Sequence, residues 1–213
     1  NDAEINNKPP LWLKKPNECT DEEYLEFYRN LYPAEPDPIF WVHLQIDHPF
    51  NLKTILFFPK ITPRFDFHSS NIKLYCNRVF VTDNCKDLFP NYLTVLRGAI
   101  DSIDIPLNVS RSYLQKDAHV KKLSTHISKK IGDKLSSLYL EDREKFISYW
   151  PDIEMIVKYG ILQDEKFYEK AKSFLLWKTL EGSWTTLEEY LAATPEKIYY
   201  TPEEAKDSQF LAL

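Results

Sequence analysis

Glycine is scarce in this 213-residue sequence, with only Gly98, Gly132, Gly160 and Gly182. No GxGxxG or Walker-type loop can be assembled from them, so the chain carries no visible phosphate cradle of its own. The sequence also lacks a GxSxG elbow, an HExxH pair and a CxxC pair, and local sequence suggests no cysteine–histidine couple. Its three cysteines, Cys19, Cys76 and Cys85, are odd in number and widely spaced. They read as free, buried or half-buried thiols of a reducing compartment. No metal site is expected. There is no apolar run long enough to cross a membrane and no basic-then-apolar leader, which predicts a cytoplasmic protein without a membrane partner. An excess of positive charge is missing too: the net charge is -5. That argues against nucleic acid as the main partner, because neutralising phosphates needs a basic surface. Asn108-Val109-Ser110 matches a glycosylation acceptor, but without a secretory leader the match is read as accidental.

What is present suffices for a real core, since 43% of residues are hydrophobic and 15% aromatic. Residues 1–19 read as an extended arm around Trp12. Thr20 with Glu23 forms a capping box that opens a helix bearing Tyr24, Phe27, Tyr28 and Leu31, ended by Pro33. Three runs rich in β-branched and aromatic residues, Trp41 to Ile46, Leu52 to Phe58 and Ile72 to Val81, predict strands separated by prolines. Tyr92, Leu93, Leu96, Ala99 and Ile100 have helical spacing. A long helix is predicted through Leu114, Val120, Leu123, Ile127, Ile131, Leu135 and Leu138, with lysines on its other face. A further helix should run from about 141 to 150 and stop at Pro151. Beyond it, Ile153 to Val157 reads as a strand or a helix end, and Phe167, Ala171, Phe174 and Leu175 as a helix. Thr186 with Glu189 caps a short helix, Lys197 to Tyr200 is a strand, and Thr201-Pro202-Glu203-Glu204 starts another helix. The fold class is therefore α/β, with a large α/β layered subdomain (1–118), a helical connector (119–150) and a small α/β subdomain (151–213).

One loop stands out for chemistry. In Pro106-Leu107-Asn108-Val109-Ser110-Arg111, the proline stiffens the loop and Asn108 or Ser110 can cap the long helix. With Arg111 in the first turn, Gln115 follows at i+4 on the same face. A guanidinium and an amide would then project from a helix start, where backbone dipoles favour an anion. The ordinary alternative is a surface arginine in a salt bridge with Gln115 solvated, and the constellation alone does not choose between them. Asp101 and Asp104 form an acidic pair whose ordinary role is solvated or capping. Trp41, Phe65, Phe67, Trp177 and Trp184 are either core or an apolar patch for partners, and core is the default reading.

The string LNVSRSYLQ at 107–115 resembles the catalytic loop of the ninety-kilodalton heat-shock chaperones, whose pattern is close to LN(I/V/L)SRExLQ. LRGAIDSIDIP at 96–106 is similar to that family's VRGxxDSxDLP. NIKLYCNRVFVTDNC at 71–85, NKPPLWLKKPNECTDEEYLEFY at 7–28 and IYYT at 198–201 resemble further family segments in the same order. The resemblance spans nearly the whole chain, and its variations lie nearest bacterial members. It implies the middle domain of an ATP-dependent chaperone, with both ends cut points in a longer protein. The N-terminal ATP-binding and C-terminal dimerisation domains would lie outside this chain. Arg111 would then reach the γ-phosphate of ATP held with Mg in the N-terminal domain, accompanied by Gln115, while Asn108 and Ser110 hold the loop (106–115). Expected partners are those two domains, unfolded or partly folded client proteins and, for the full-length protein, a second copy. The isolated chain is expected to bind no cofactor and to be no enzyme by itself.

The sequence departs from the pattern at Ser112 and Tyr113, which replace the common Glu and Leu or Met, so the loop helix's cap is open. YPAEPDPIFW at 32–41 lacks the tryptophan some eukaryotic members carry. LLWKTLEGSW at 175–184 lacks the usual Arg after the two leucines. Two other readings stand beside this one. A transducer domain of a DNA topoisomerase or mismatch-repair ATPase would use a loop Lys instead, and a non-catalytic interaction scaffold would use neither.

Overall fold

In the computed structural model, the residues described are 9–48, 50–61, 71–83, 85, 88–105, 118–195 and 197–201. Helix α1 (Asp21–Leu31) starts as predicted: Glu23 N–H donates to Thr20 Oγ1 (3.3 Å) and Thr20 N–H to Glu23 Oε2 (3.1 Å), with three acidic residues in the first turn. Such reciprocal capping satisfies two donors that a helix start otherwise leaves unpaired. Strands β1 (Phe40–Ile46) and β2 (Leu52–Phe58) form where the apolar runs predict them. The run from Ile72 to Val81 is a hairpin instead of one strand: β3 (Asn71–Cys76) turns into β4 (Val79–Thr82) through Asn77 and Arg78, both at positive φ. Asn77-Arg78 is the polar break at that turn, and it carries no glycine to mark it.

The predicted helix around Tyr92 to Ile100 is corrected. Asn91–Leu93 is a single 3-10 turn, and Arg97–Ser102 is strand β5, buried along its whole length. A strand covered on both faces loses the polar–apolar alternation that would distinguish it from a helix. β5 lies at the centre of a five-stranded sheet of order β1-β2-β5-β3-β4, antiparallel except for the β3–β5 pair. Gly98 is required there. Its φ is +137°, and a Cβ would stand 2.0 Å from the Ile55 carbonyl oxygen.

Helices α2 (Ala118–Glu141), α3 (Arg143–Gln163) and α4 (Glu165–Ala171) follow. Pro151 does not end a helix; it lies inside α3. The buried stripe of Phe146, Trp150, Ile153, Ile156 and Val157 continues through it, so burial outweighs the roughly 3 kcal/mol an interior proline costs. Ile153 to Val157 is thus helical. Phe174 and Leu175 lie beyond α4, just before β6 (Leu176–Lys178), which pairs with β7 (Trp184–Thr186). The Thr186–Glu189 box opens α5 (Leu187–Ala193) as expected. Lys197 to Tyr200 form no strand. Leu114 and the helix start at Pro202 lie outside the described residues.

Side-chain alternation along the sheet creates two cores. Leu52, Leu56, Phe58, Ile72, Leu74 and Ile100 face α2, α3 and α4 in the larger one. On the opposite face Ile55, Phe57 and Ala99 meet Trp12, Tyr24, Tyr28 and Tyr32 from the N-terminal arm and α1. The molecule is mixed α/β, with helical layers against both faces of its main sheet.

Candidate functional site

Asn108, Ser110, Arg111 and Gln115 all lie outside the described residues. The frame that holds their loop is described, at both ends. β5 delivers the chain to the loop. At and just past its last residue, Ser102 Oγ donates to the Asn51 carbonyl (2.6 Å), Asp104 N–H donates to Ser102 Oγ (3.2 Å), and Asn51 N–H donates to an Asp104 carboxylate oxygen (2.6 Å). Ile105 is buried in the larger core. The chain is therefore pinned to the start of β2 immediately before Pro106. At the far end, Val120, Leu123, Ile127, Ile131 and Leu135 fix α2 against the same core at helical spacing.

The other side of β5 is pinned as well. Asp101, only 6% exposed, accepts through Oδ2 from the Trp12 indole N–H (3.1 Å) and from the Arg78 backbone N–H (3.1 Å). Sequence reading placed Asp101 with Asp104 as a solvated or capping pair. Asp104 does bind a backbone N–H, but Asp101 is a buried tie between three segments. Recognising residues 97–102 as a strand would have put Asp101 on the face of Ala99, towards the arm. The arm is itself fastened: Gln45 Nε2 donates to the carbonyls of Trp12 (3.1 Å) and Lys14 (2.6 Å), and the Trp12 ring lies against Tyr75 and Phe27.

At the start of β5, Tyr32 spans the parallel pair. Its hydroxyl accepts from Gly98 N–H (2.9 Å) and lies within donating distance of the carbonyls of Gly98 (3.1 Å) and Asn71. Burial pushes the Tyr32 phenol well above its ordinary value, so it stays protonated. The buried Arg97 guanidinium donates to Glu35 (2.9 Å) and the Val95 carbonyl (3.0 Å), and Glu35 also accepts from Tyr28 (3.0 Å). The strand carrying the loop is thus fixed by polar contacts at both ends.

Past the loop, the charged residues of α2 are basic as far as Lys130. Lys121, Lys122 and Lys129 are exposed on α2, which has no acidic residue before Asp133. His126, on the same helix, is held below its ordinary value by burial and by Lys130 and Lys129. No group of three or more His, Cys, Asp or Glu among the described residues could hold a metal ion. An open groove by Pro90, Asn91, Thr125 and Gln163 includes Asp164. That carboxylate already accepts from Ser128 (3.0 Å), Tyr92 (3.3 Å) and Phe167 N–H (3.1 Å), so it serves the fold.

Cys19 and Cys76 are half-buried free thiols and Cys85 is a buried one. Burial pushes the Cys85 thiol up to about 12. Among the tryptophans, Trp41 stacks on Tyr24 (4.9 Å) and Trp184 packs against the larger core. Trp177 is instead 47% exposed, with Lys158 over its ring at 5.0 Å. Met155, Tyr159 and Leu162 are exposed on the same helix as Lys158. Phe65 and Phe67 lie outside the described residues. Among the described residues no helix is long and apolar enough to cross a membrane.

The sequence matches the family model described as Hsp90 protein over residues 1–210. It is 46% identical over 216 residues to the chaperone protein htpG of Bacteroides fragilis, covering 98% of this chain and 32% of that protein. It is 51% identical over 189 residues to the chaperone protein HtpG of Porphyromonas gingivalis, covering 89% of this chain and 28% of the relative. Similarity to the HtpG of Bacillus subtilis is 34% over 212 residues, 95% of this chain and 34% of that protein. The chain spans about a third of the length of the curated relatives it matches.

Proposed function

The chain belongs to the Hsp90 family of heat-shock chaperones, and from that premise we propose that it is the middle segment of an ATP-dependent chaperone and lends Arg111 to ATP bound elsewhere in the longer protein. In this reading Arg111 binds the γ-phosphate and spreads the charge that develops as the phosphoryl group is transferred, while Gln115 accompanies it. Asn108 and Ser110 shape the loop. Such an arginine acts only when the nucleotide domain closes on this one, which couples hydrolysis to a conformational clamp. ATP with Mg belongs to the N-terminal domain, and the isolated chain hydrolyses none.

The observation that carries the reading is the rigid frame of the loop. A catalytic arginine must be presented within a fraction of an ångström of its target, which calls for rigid supporting elements. Ser102, Asp104 and Ile105 on one side and Val120 on the other supply that support. The large subdomain (1–118), connector (119–150) and small subdomain (151–213) serve as the levers of the clamp. Unfolded or partly folded clients are a second partner class, and the exposed Met155, Tyr159, Leu162 and Trp177 favour it, since contiguous apolar surface marks interaction sites. We place the full-length protein in the cytoplasm as a homodimer joined through its C-terminal domain, with neither nucleic acid nor membrane as partner.

The test is steady-state ATP turnover by the full-length protein carrying Arg111→Ala. A slowing of about a hundredfold or more is expected for loss of a charge-stabilising donor. Undiminished turnover would leave an interaction scaffold.

A further inference from the structure

The Asp101 carboxylate ties three segments together beside the loop of Arg111. It is 6% exposed, and the two donors bound to its Oδ2, the Trp12 indole and the Arg78 backbone N–H, are both neutral. A buried carboxylate holds its place through the hydrogen bonds it accepts. A hydrophobic residue at the same place would leave the Trp12 indole N–H and the Arg78 N–H without their acceptor. Its position is informative. Asp101 is the penultimate residue of β5, five residues before Pro106 and ten before Arg111. Its three points of attachment are the strand that delivers the loop, the tight turn between β3 and β4, and the arm by which the chain is joined to whatever precedes residue 9.

We infer that Asp101 is a positioning residue for the proposed hydrolysis: it clasps the N-terminal arm to the end of β5 and so sets where the Arg111 loop leaves the sheet. The inference rests on the reading of Arg111 given above. The indole is itself held by Tyr75 and Phe27, through ring contacts at 4.7 and 5.8 Å. The hydrogen bond to Asp101 ties that fixed ring to β5. On the other face Ser102 is fixed to Asn51, so the end of β5 from which the loop leaves is held from both sides. Asp101 touches no nucleotide; it acts through the placement of Arg111.

The experiment measures ATP turnover, nucleotide affinity and thermal midpoint for five variants of the full-length protein: Trp12→Phe, Asp101→Leu, Asp101→Asn, Trp12→Phe with Asp101→Leu, and Arg111→Ala as reference. Small misplacements of catalytic groups cost up to about a hundredfold, so Trp12→Phe and Asp101→Leu should each lower kcat by roughly tenfold or more at unchanged nucleotide affinity. Asp101→Asn should restore turnover to within about twofold, because its amide oxygen can accept both hydrogen bonds. The double variant should be no slower than Asp101→Leu alone, since that variant already breaks the tie to Trp12. A purely structural role would lower the midpoint without this pattern in kcat. Should Asp101→Leu fail to fold, Trp12→Phe, which keeps a ring against Tyr75, carries the test. Slow turnover in Arg111→Ala beside normal turnover in folded Trp12→Phe would overturn the clasp and leave the arginine reading standing. Asp101→Asn as slow as Asp101→Leu would also overturn it. Normal turnover in Arg111→Ala would remove the arginine reading and the clasp together.

Discussion

Tyr32→Phe removes one oxygen from the seam where β3 and β5 run parallel, and its cost follows from what that oxygen holds. The hydroxyl accepts the Gly98 N–H at 2.9 Å, and Asn71 and Gly98 both present carbonyls to it. Gly98 cannot turn elsewhere, because its backbone lies against the Ile55 carbonyl at φ +137°. The variant therefore strands a buried N–H, at about 1–3 kcal/mol, and loses a donated hydrogen bond as well. We expect a total of about 2–3 kcal/mol, which for a chain of this size lowers the thermal midpoint by about 4–12 °C. Tyr28→Phe is the control. Its hydroxyl donates to the Glu35 carboxylate, which is 27% exposed and keeps Arg97, so no buried donor is stranded and the loss should be smaller than for Tyr32→Phe. Urea unfolding of the two variants side by side reads the difference. A Tyr32→Phe variant no less stable than Tyr28→Phe would refute the assignment of the hydroxyl as acceptor for Gly98.

Three further outcomes follow from burial. Gly98→Ala should not accumulate as folded protein, since its Cβ would overlap the Ile55 carbonyl at 2.0 Å; a soluble variant with a wild-type melting profile contradicts this. A thiol reagent at neutral pH should titrate Cys19 and Cys76 in the native chain and Cys85 only on unfolding, because Cys85 is buried with its thiol pushed up to about 12; equal rates for all three would be decisive against it. His43 is held below its ordinary value of 6.5 by burial, with Tyr24 hydrogen-bonded to its Nδ1 at 2.7 Å. Its neutral form therefore supports the fold above pH 6.5, and that contribution is lost as pH falls from there through the depressed folded value. His43→Gln should flatten the decline of the urea midpoint between neutral and mildly acidic pH, and an unchanged slope would assign the decline to other groups.

Much of this architecture was readable in advance because it is written in local patterns. Thr20 with Glu23 and Thr186 with Glu189 mark their helices by side chains that satisfy nearby donors, so no distant information is needed. The α2 stripe is equally local. Legibility fails where tertiary burial decides. β5 is covered on both faces, so its apolar residues fit a helix as well as a strand, and the sheet's central element was misread. Pro151 is tolerated because Trp150 and Ile153 are buried on either side of it, a gain that proline rules do not contain. The hairpin at Asn77 and Arg78 has no glycine to announce it. For the candidate site, Arg111 and Gln115 came from motif and spacing. The hold of Asp101 on Trp12 joins residues 89 apart in sequence, and only the folded chain brings them together.

The central claim is that this chain completes an active site it does not contain. Single-turnover hydrolysis with ATP already bound tests it most directly, comparing the full-length protein with its Arg111→Ala variant and measuring nucleotide affinity in both. The account predicts a chemical step slower by about a hundredfold or more, with affinity changed by no more than about twofold. An unchanged chemical step would contradict it and reduce Arg111 to a structural or surface residue.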